Sequence, residues 1–347
     1  MDEFDPKVQQ FLRSYEHQYD AFKAEADRAQ ELVEHIIGHR GGLLHTISAR
    51  AKTPKSLRGK LRRKDYSKPA SEITDLIGVR VITFYHDDVH SIAGRLRNQL
   101  EINEVDSIDK RVQLGLREFG YRSVQLIARP KAEDIVSRGF QLLNDHWFEI
   151  QVRSILEHAW AEIEHEVVYK SKVEYPEEIV RRFASLAGTI ELLDDEFLDL
   201  RDQRSELIDK YRIFYKKNKT DAKHFDVARL LGFLEATRPK GLSWRRAEAD
   251  RTPFQPGLDT SCVDALRAVG LDRPRSLSAV FRSWKYRNAA SAFAASRGIA
   301  PKEISHLASV VIALVVTDPV VVKRFFPEVV FDPVIEKMIA ARIAKQR

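Results

Sequence analysis

The sequence predicts an α/β (α+β) protein, a mixed central sheet flanked by helices, followed by a smaller, mainly helical C-terminal domain. Two observations carry this expectation. Up to about Lys170, short alternating or apolar segments interleave with helical periods, the pattern of helices packed around one sheet. From about Ala222 onward strand signals fade, and short apolar-periodic segments are separated by Pro and Gly. A chain of 347 residues is long enough for two domains.

Taken in order, Asp5-Pro6 opens a helical period through Val8, Phe11, Leu12, Tyr15 and Tyr19 that runs to about Ile37 and ends near Gly38. Gly41-Gly42 breaks the chain before a second short helix. Residues Ile77 to Phe84 read as a buried strand and Val89 to Leu100 as the helix after it. Further strands are expected at about Tyr121 to Ala128 and Trp147 to Arg153, then a helix from Ser154 to about Lys170. Pro176 starts a long helix to about Tyr215 whose apolar stripe is Phe183, Leu186, Ile190, Leu193, Phe197 and Leu200, with a solvated acidic face opposite. This divides the chain into a domain over residues 1–215, a polar linker over 216–221, and a helical domain of unassigned role over 222–347.

No apolar run approaches the roughly 18 to 20 residues that span a bilayer, and the acidic start Met1-Asp-Glu-Phe-Asp has no secretory or transit character, so a cytoplasmic protein without membrane partners is expected. Cys262 is alone, which excludes a disulfide framework and a Cys-based zinc site within the chain. The net charge of +6 is unevenly spread. Between Arg50 and Lys68 lie nine Lys or Arg residues with Asp65 as the sole acid. Such a block either attracts a polyanion, whether nucleoside triphosphate, RNA or DNA, or is a solvated basic loop.

Alternation in the strand around residue 150 sends Phe148, Ile150 and Val152 to one face and Glu149, Gln151 and Arg153 to the other. A carboxylate on a rigid strand beside a guanidinium suits a cation with phosphate, although a cross-strand ion pair has the same signature. In the basic block, Lys52, Ser56 and Lys60 share one helix face with Arg50 near its start, a stripe able to grip phosphates. Pro54 fits only the beginning of that helix, which puts Arg50 and Lys52 at or before its N-terminus. There is no Walker A sequence. Asp75 precedes the strand that carries Arg80. If this strand neighbours the one with Glu149, the two acids make a Mg²⁺ site; otherwise Asp75 caps backbone groups. In Phe119-Gly120-Tyr121-Arg122-Ser123-Val124-Gln125, Gly120 allows a sharp turn and Tyr121 either stacks on a nucleobase or is a core ring. His158 and His165 share a helix with Trp160 and lack metal-ligand spacing, so packing and supporting roles are expected.

In this order, from about Leu43 to Lys170, these pieces resemble the synthetase domain of the RelA/SpoT family, nucleotide pyrophosphokinases of nucleotidyltransferase-like fold that make the alarmone (p)ppGpp. Arg50, Lys52, Ser56 and Lys60 match the family's ATP-phosphate pattern. Asp75, Gly78 and Arg80 match its Asp-x-x-Gly-x-Arg strand, Gly120 to Ser123 its base-stacking loop, and Glu149, Gln151 and Arg153 its Glu-x-Gln-x-Arg strand. Trp160, Glu164 and His165 match the helix that follows. The resemblance implies Mg²⁺ at Asp75 and Glu149, ATP held by Arg50, Lys52, Ser56, Lys60, Arg80, Gln151 and Arg153, and an acceptor contacted by Arg117, Tyr121, Ser123 and Gln125. A ribose hydroxyl would attack the β-phosphorus, with AMP leaving and Glu149 as the candidate base.

Two departures concern the acceptor. Where alarmone synthetases show Lys-x-Asn-Gly-Tyr-x-Ser-x-His, this chain has Phe119 for the Asn and Gln125 for the His. The resemblance implies transfer to GDP or GTP; the departures remove expected polar contacts to a guanosine nucleotide, and the alternative is transfer to the 3′ end of tRNA by a toxic relative restrained by its C-terminal region. An inactive nucleotide- or RNA-binding module is the third reading. No His-Asp metal signature precedes Asp75, so the companion hydrolase activity is not expected. A homo-oligomer is compatible with all three.

Overall fold

The computed structural model describes residues 4–38, 44–109, 123–134, 139–140, 142–143, 146–165, 176–217, 223–237, 258–301, 304–326 and 333–344. It divides into two compact units, Met1–Asp199 and Leu200–Arg347.

In the first unit, Asp5 caps α1 (Pro6–His17), accepting from the Lys7 N–H at 2.9 Å with Pro6 at the first helical position. The apolar period continues past residue 17, but the backbone departs from the helix at Gln18 (φ −94°, ψ 7°), so α2 (Tyr19–Ile37) is a separate helix. Tyr15 packs against Tyr19 and Phe22 across this break, with ring centroids 6.0 and 4.7 Å apart. Gly41-Gly42 lies outside the described residues. After it the chain forms a strand where the sequence pattern predicts a short helix, β1 (Leu44–Ala51), ahead of the helix α3 (Pro54–Arg63). The short α4 (Pro69–Glu72) leads to β2 (Ile77–Thr83) and α5 (His86–Gln99). Then come β3 (Glu101–Ile102), β4 (Ile108–Asp109), β5 (Val124–Arg129), β6 (Phe148–Ser154) and α6 (Ile155–Glu164).

The sheet order is β1-β2-β6-β5-β3, with β4 paired to β5. Among the described residues, β2 and β6 run parallel and the other pairs are antiparallel. One face carries Val79, Val81, Leu126, Phe148, Ile150 and Val152, all buried in a single core with Ala29, Leu32 and Val33 of α2 and Ile92 and Leu96 of α5. This is the mixed sheet flanked by helices that the sequence predicts, with polar residues left on the opposite face.

The long helix α7 (Glu177–Lys216) crosses the division between the units. Its apolar stripe is only partly covered: Leu186, Leu193, Phe197 and Leu200 are 44 to 57% exposed, whereas Phe183 and Ile190 are half-buried. Ala187 and Asp194 lie on its buried side instead, and Asp194 accepts a hydrogen bond from the Ser154 hydroxyl at 2.7 Å. Burial raises the Asp194 carboxyl above its usual range, against the lowering effect of that hydrogen bond.

The second unit is helical throughout its described residues: α8 (Val227–Thr237), α9 (Leu258–Ala268), α10 (Pro274–Arg282), α11 (Trp284–Arg297), α12 (His306–Thr317), α13 (Pro319–Phe325) and α14 (Pro333–Ala344). Its centre is α12, buried along Ser309 to Val316 and packed by α9, α10, α11, α13 and α14. Gly232 of α8 permits a close helix approach, because a Cβ there would stand 2.6 Å from the Cβ of Tyr211. Most of the linker expected at 216–221 lies outside the described residues. No described helix is long and apolar enough to cross a membrane.

Candidate active site

The register of β2 on β6 builds the site. Parallel pairing sets Gly78 beside Glu149, Arg80 beside Gln151 and Ile82 beside Arg153. On the outer sides, β1 sets Arg50 beside Gly78, and β5 sets Gln125 beside Gln151. Since strand side chains alternate, these residues share the face opposite the core. A Cβ at Gly78 would meet nothing within 4 Å, so the surface between Arg50 and Glu149 is open.

Hydrogen bonds lock this face into a chain. The Gln125 amide and, at 3.2 Å, the Gln151 amide both donate to Glu149 Oε1. Gln151 in turn accepts from the guanidinium of the buried Arg153 at 2.6 Å. Among the described residues, no hydrogen bond to the other oxygen of Glu149 is made. From α6, Glu162 pairs with Arg80 at 3.0 Å. His158, one turn earlier on that helix, is held below its usual range by burial and by the nearby positive charges of Arg153, Arg80 and His45, against the pull of Glu162. The imidazole is therefore neutral near pH 7.

A second cluster lies where β1 gives way to α3. Leu57 and Leu61 anchor α3 in the core, Pro54 occupies its first turn, and Thr53 caps it by accepting from the Ser56 N–H at 3.2 Å. Ser56 itself is exposed and Arg50 projects from the end of β1. The Lys52 N–H donates to the Leu76 carbonyl at 2.8 Å, and the Tyr15 hydroxyl donates to the Lys52 carbonyl at 2.6 Å. Burial, with Tyr19 and Asp75 adding to it, pushes the Tyr15 hydroxyl far above its usual range, so it remains a donor. These contacts bring both lysines onto Asp75: Lys52 Nζ to Oδ2 at 2.9 Å and Lys60 Nζ to Oδ1 at 2.8 Å. Burial alone would raise the Asp75 carboxyl, but the Lys52 charge and the hydrogen bonds from Lys60 and Lys52 outweigh it and hold the group below its usual range.

The residues expected from sequence thus form two groups: Lys52, Lys60 and Asp75 in one, and Arg80, Gln125, Glu149, Gln151 and Arg153 in the other. Ser123 is buried just before β5. Arg117 and Tyr121 lie outside the described residues. Sequence reasoning missed Glu162 as the partner of Arg80 and Gln125 as a donor to Glu149. The first had a local trace, since Glu162 shares a helix face with His158 at a spacing of four; the second depends on strand register.

Asp75 and Glu149 share no hydrogen-bond partner, and no cluster of three or more acidic, His or Cys side chains suited to a metal occurs among the described residues. The oxygen donors nevertheless fit Mg²⁺, which is commonly held by one or two carboxylates with substrate phosphates completing its shell. Asp75 is ionised, and its two oxygens already carry two cationic partners.

Comparison with known proteins finds similarity over the first unit. Residues 49–174, which contain both clusters, match the model of the region found in RelA / SpoT proteins. Among individual relatives, the GTP pyrophosphokinase YjbM of Bacillus subtilis (strain 168) is 26% identical over 205 residues, covering 58% of this chain and 92% of that protein. The GTP pyrophosphokinase YwaC of the same organism is 27% identical over 199 residues, covering 55% and 89%. Among solved structures, small alarmone synthetase 1 from Bacillus subtilis is similar over 58% of this chain and 100% of its own, at 24% identity and a TM-score of 0.41.

The Asp75 cluster has a defined pH signature. Its folded pKa lies below the unfolded value near 3.8, so the ion pairs contribute stability above that pH and lose it as pH falls through the folded pKa. Urea unfolding across pH should show the stability advantage of the native chain over Asp75→Asn shrinking on acidification below about pH 4. A difference that stays constant from neutral to acid pH contradicts the lysine-held carboxylate.

Proposed function

We propose that this chain is a Mg²⁺-dependent pyrophosphokinase that transfers the β,γ-diphosphate of ATP to the 3′-hydroxyl of GDP or GTP, making (p)ppGpp. The observation that carries the reading is that a lysine-clamped Asp75 and an amide-braced Glu149 both fall within the stretch that matches the RelA / SpoT model. The activity named for the curated relatives supports it.

In this reading Lys52 and Lys60 exchange the Asp75 carboxylate for phosphate oxygens of ATP, with Arg50 and Ser56 extending the grip along the triphosphate. Asp75 and Glu149 would hold the Mg²⁺, which when bound neutralises phosphate charge. The acceptor hydroxyl oxygen forms a bond to the β-phosphorus, the bond from that phosphorus to the α–β bridging oxygen breaks, and AMP departs with the electron pair. Glu149 takes the hydroxyl proton, while Gln125 and Gln151 hold its Oε1 and fix the orientation of the group. Positioning and charge neutralisation supply most of the acceleration, and no covalent intermediate with the protein is needed.

One observation favours a second reading, transfer to the 3′ end of tRNA. Gln125 stands where alarmone synthetases have His, and its amide donates to Glu149. We also infer a homo-oligomer through α7, because Leu186, Leu193 and Leu200 recur every seven residues on an exposed face with Phe197 between them.

The test of the transfer reaction uses ATP labelled on its γ-phosphate, with GDP, GTP, ATP or bulk tRNA as acceptor. Label should enter a guanosine tetra- or pentaphosphate, and Glu149→Gln should lower turnover by about 100-fold or more while sparing most ATP binding. Label in tRNA alone selects the second reading, and no label anywhere with ATP bound overturns both in favour of a binding module. Light scattering on the purified chain should give a multiple of 39.9 kDa that falls to one copy in Leu193→Glu/Phe197→Glu. A monomeric native chain refutes the α7 interface.

A further inference from the structure

The two units differ sharply in charge. Residues 1–199 hold 29 Lys and Arg against 35 Asp and Glu, whereas residues 200–347 hold 28 against 16. The excess has a focus. From Arg273 to Lys302 there are seven Lys or Arg residues and no acid at all. Soluble surfaces normally intersperse the two signs, so an acid-free run of this length concentrates positive potential locally.

The fold displays this run outward. In α10, Pro274 and Leu277 are buried while Arg275 and Arg282 are exposed. In α11, Tyr286, Ala290, Phe293 and Ala294 are buried while Lys285 and Arg287 are exposed. Arg275, Arg282, Lys285 and Arg287 form no salt bridge among the described residues, unlike Arg267 nearby, which pairs with Asp264 at 3.1 Å. Arg273 is engaged differently, donating to His224 Nε2 at 3.0 Å. Ser283 alone separates the two helices, and Trp284, the next residue, is 63% exposed between Arg282 and Lys285. A largely exposed indole loses hydrophobic burial, yet it offers a flat π-face amid cations.

We propose that the α10–α11 face binds single-stranded nucleic acid, with Arg275, Arg282, Lys285 and Arg287 on successive phosphates and Trp284 stacked on an unpaired base. Acid-free cationic faces attract any polyanion, but an exposed aromatic platform beside them selects a chain whose bases are unstacked. RNA and DNA share this chemistry. The inference does not rest on the transferase reading.

The test is fluorescence anisotropy of the full chain, without ATP, using fluorescein-labelled oligo(U) RNA and oligo(dT) DNA of about 20 nucleotides. Binding to RNA, DNA or both supports the site, and their relative affinity identifies the source of the strand. Trp284→Ala should weaken binding about tenfold, with Trp284→Phe restoring most of it. Joint replacement of Arg275, Arg282 and Arg287 by Ala should flatten the log–log salt dependence by about 2, at about 0.7 for each phosphate no longer neutralised. Circular dichroism melts confirm that the variants fold. Unaltered binding by these variants, or loss only in Lys52→Ala/Lys60→Ala, would falsify the proposal by placing the nucleic acid at the synthetase cluster. Retention on vesicles of anionic phospholipid with no oligonucleotide binding overturns it in favour of a membrane surface.

Discussion

The parallel pairing of β2 with β6 is the constraint on which the rest of the first unit depends. It sets Val79 and Val81 level with Ile150 and Val152 in the core, and by the same register it sets Gly78 and Arg80 level with Glu149 and Gln151 on the other face. A slip of one residue in either strand would exchange the two sets, burying a carboxylate and exposing the core. Core packing and site assembly are therefore one requirement. The antiparallel neighbours widen the polar face, β5 bringing Gln125 to Glu149 and β1 bringing Arg50 to the edge of the open surface at Gly78.

The clamp at Asp75 follows from the same framework. Lys52 is pinned through its backbone to Leu76 and Tyr15, and Lys60 is aimed by a helix whose Leu57 and Leu61 reach the core. A partly buried ion pair is weak evidence of a stabilising role, since desolvation offsets much of its attraction. Two lysines on one carboxylate leave a net positive charge, and in the proposed reaction phosphate replaces the acid as their partner. The second unit differs in kind. Its apolar α12 gathers the other helices, while the cations of α10 and α11 face solvent without acids among them.

Much of this was legible in the chain where the controlling forces are local. Alternation about residue 150 separated Glu149, Gln151 and Arg153 from the core set, and Pro54 placed the start of α3 with Lys52 ahead of it. Non-local features were not legible. Residues 44–51 are a strand because β2 offers an edge, and no strong alternation announces it. The helix break at Gln18 lies inside a continuous apolar period, with Tyr15 and Phe22 packed together across it. Periodicity gave α7 an apolar stripe but could not say what covers it, and most of that stripe is exposed while Asp194 turns inward to Ser154. Gln125 reaches Glu149 only through β5–β6 register.

The central claim, that one sheet face and the adjoining lysine clamp form a single triphosphate site, is tested most directly by a crystal structure of the chain with a non-hydrolysable ATP analogue and Mg²⁺. Phosphate oxygens are expected on Lys52 and Lys60 and the cation on the Asp75 and Glu149 carboxylates, with β2–β6 pairing unchanged. A nucleotide bound away from this face, with both lysines still on Asp75, would contradict it.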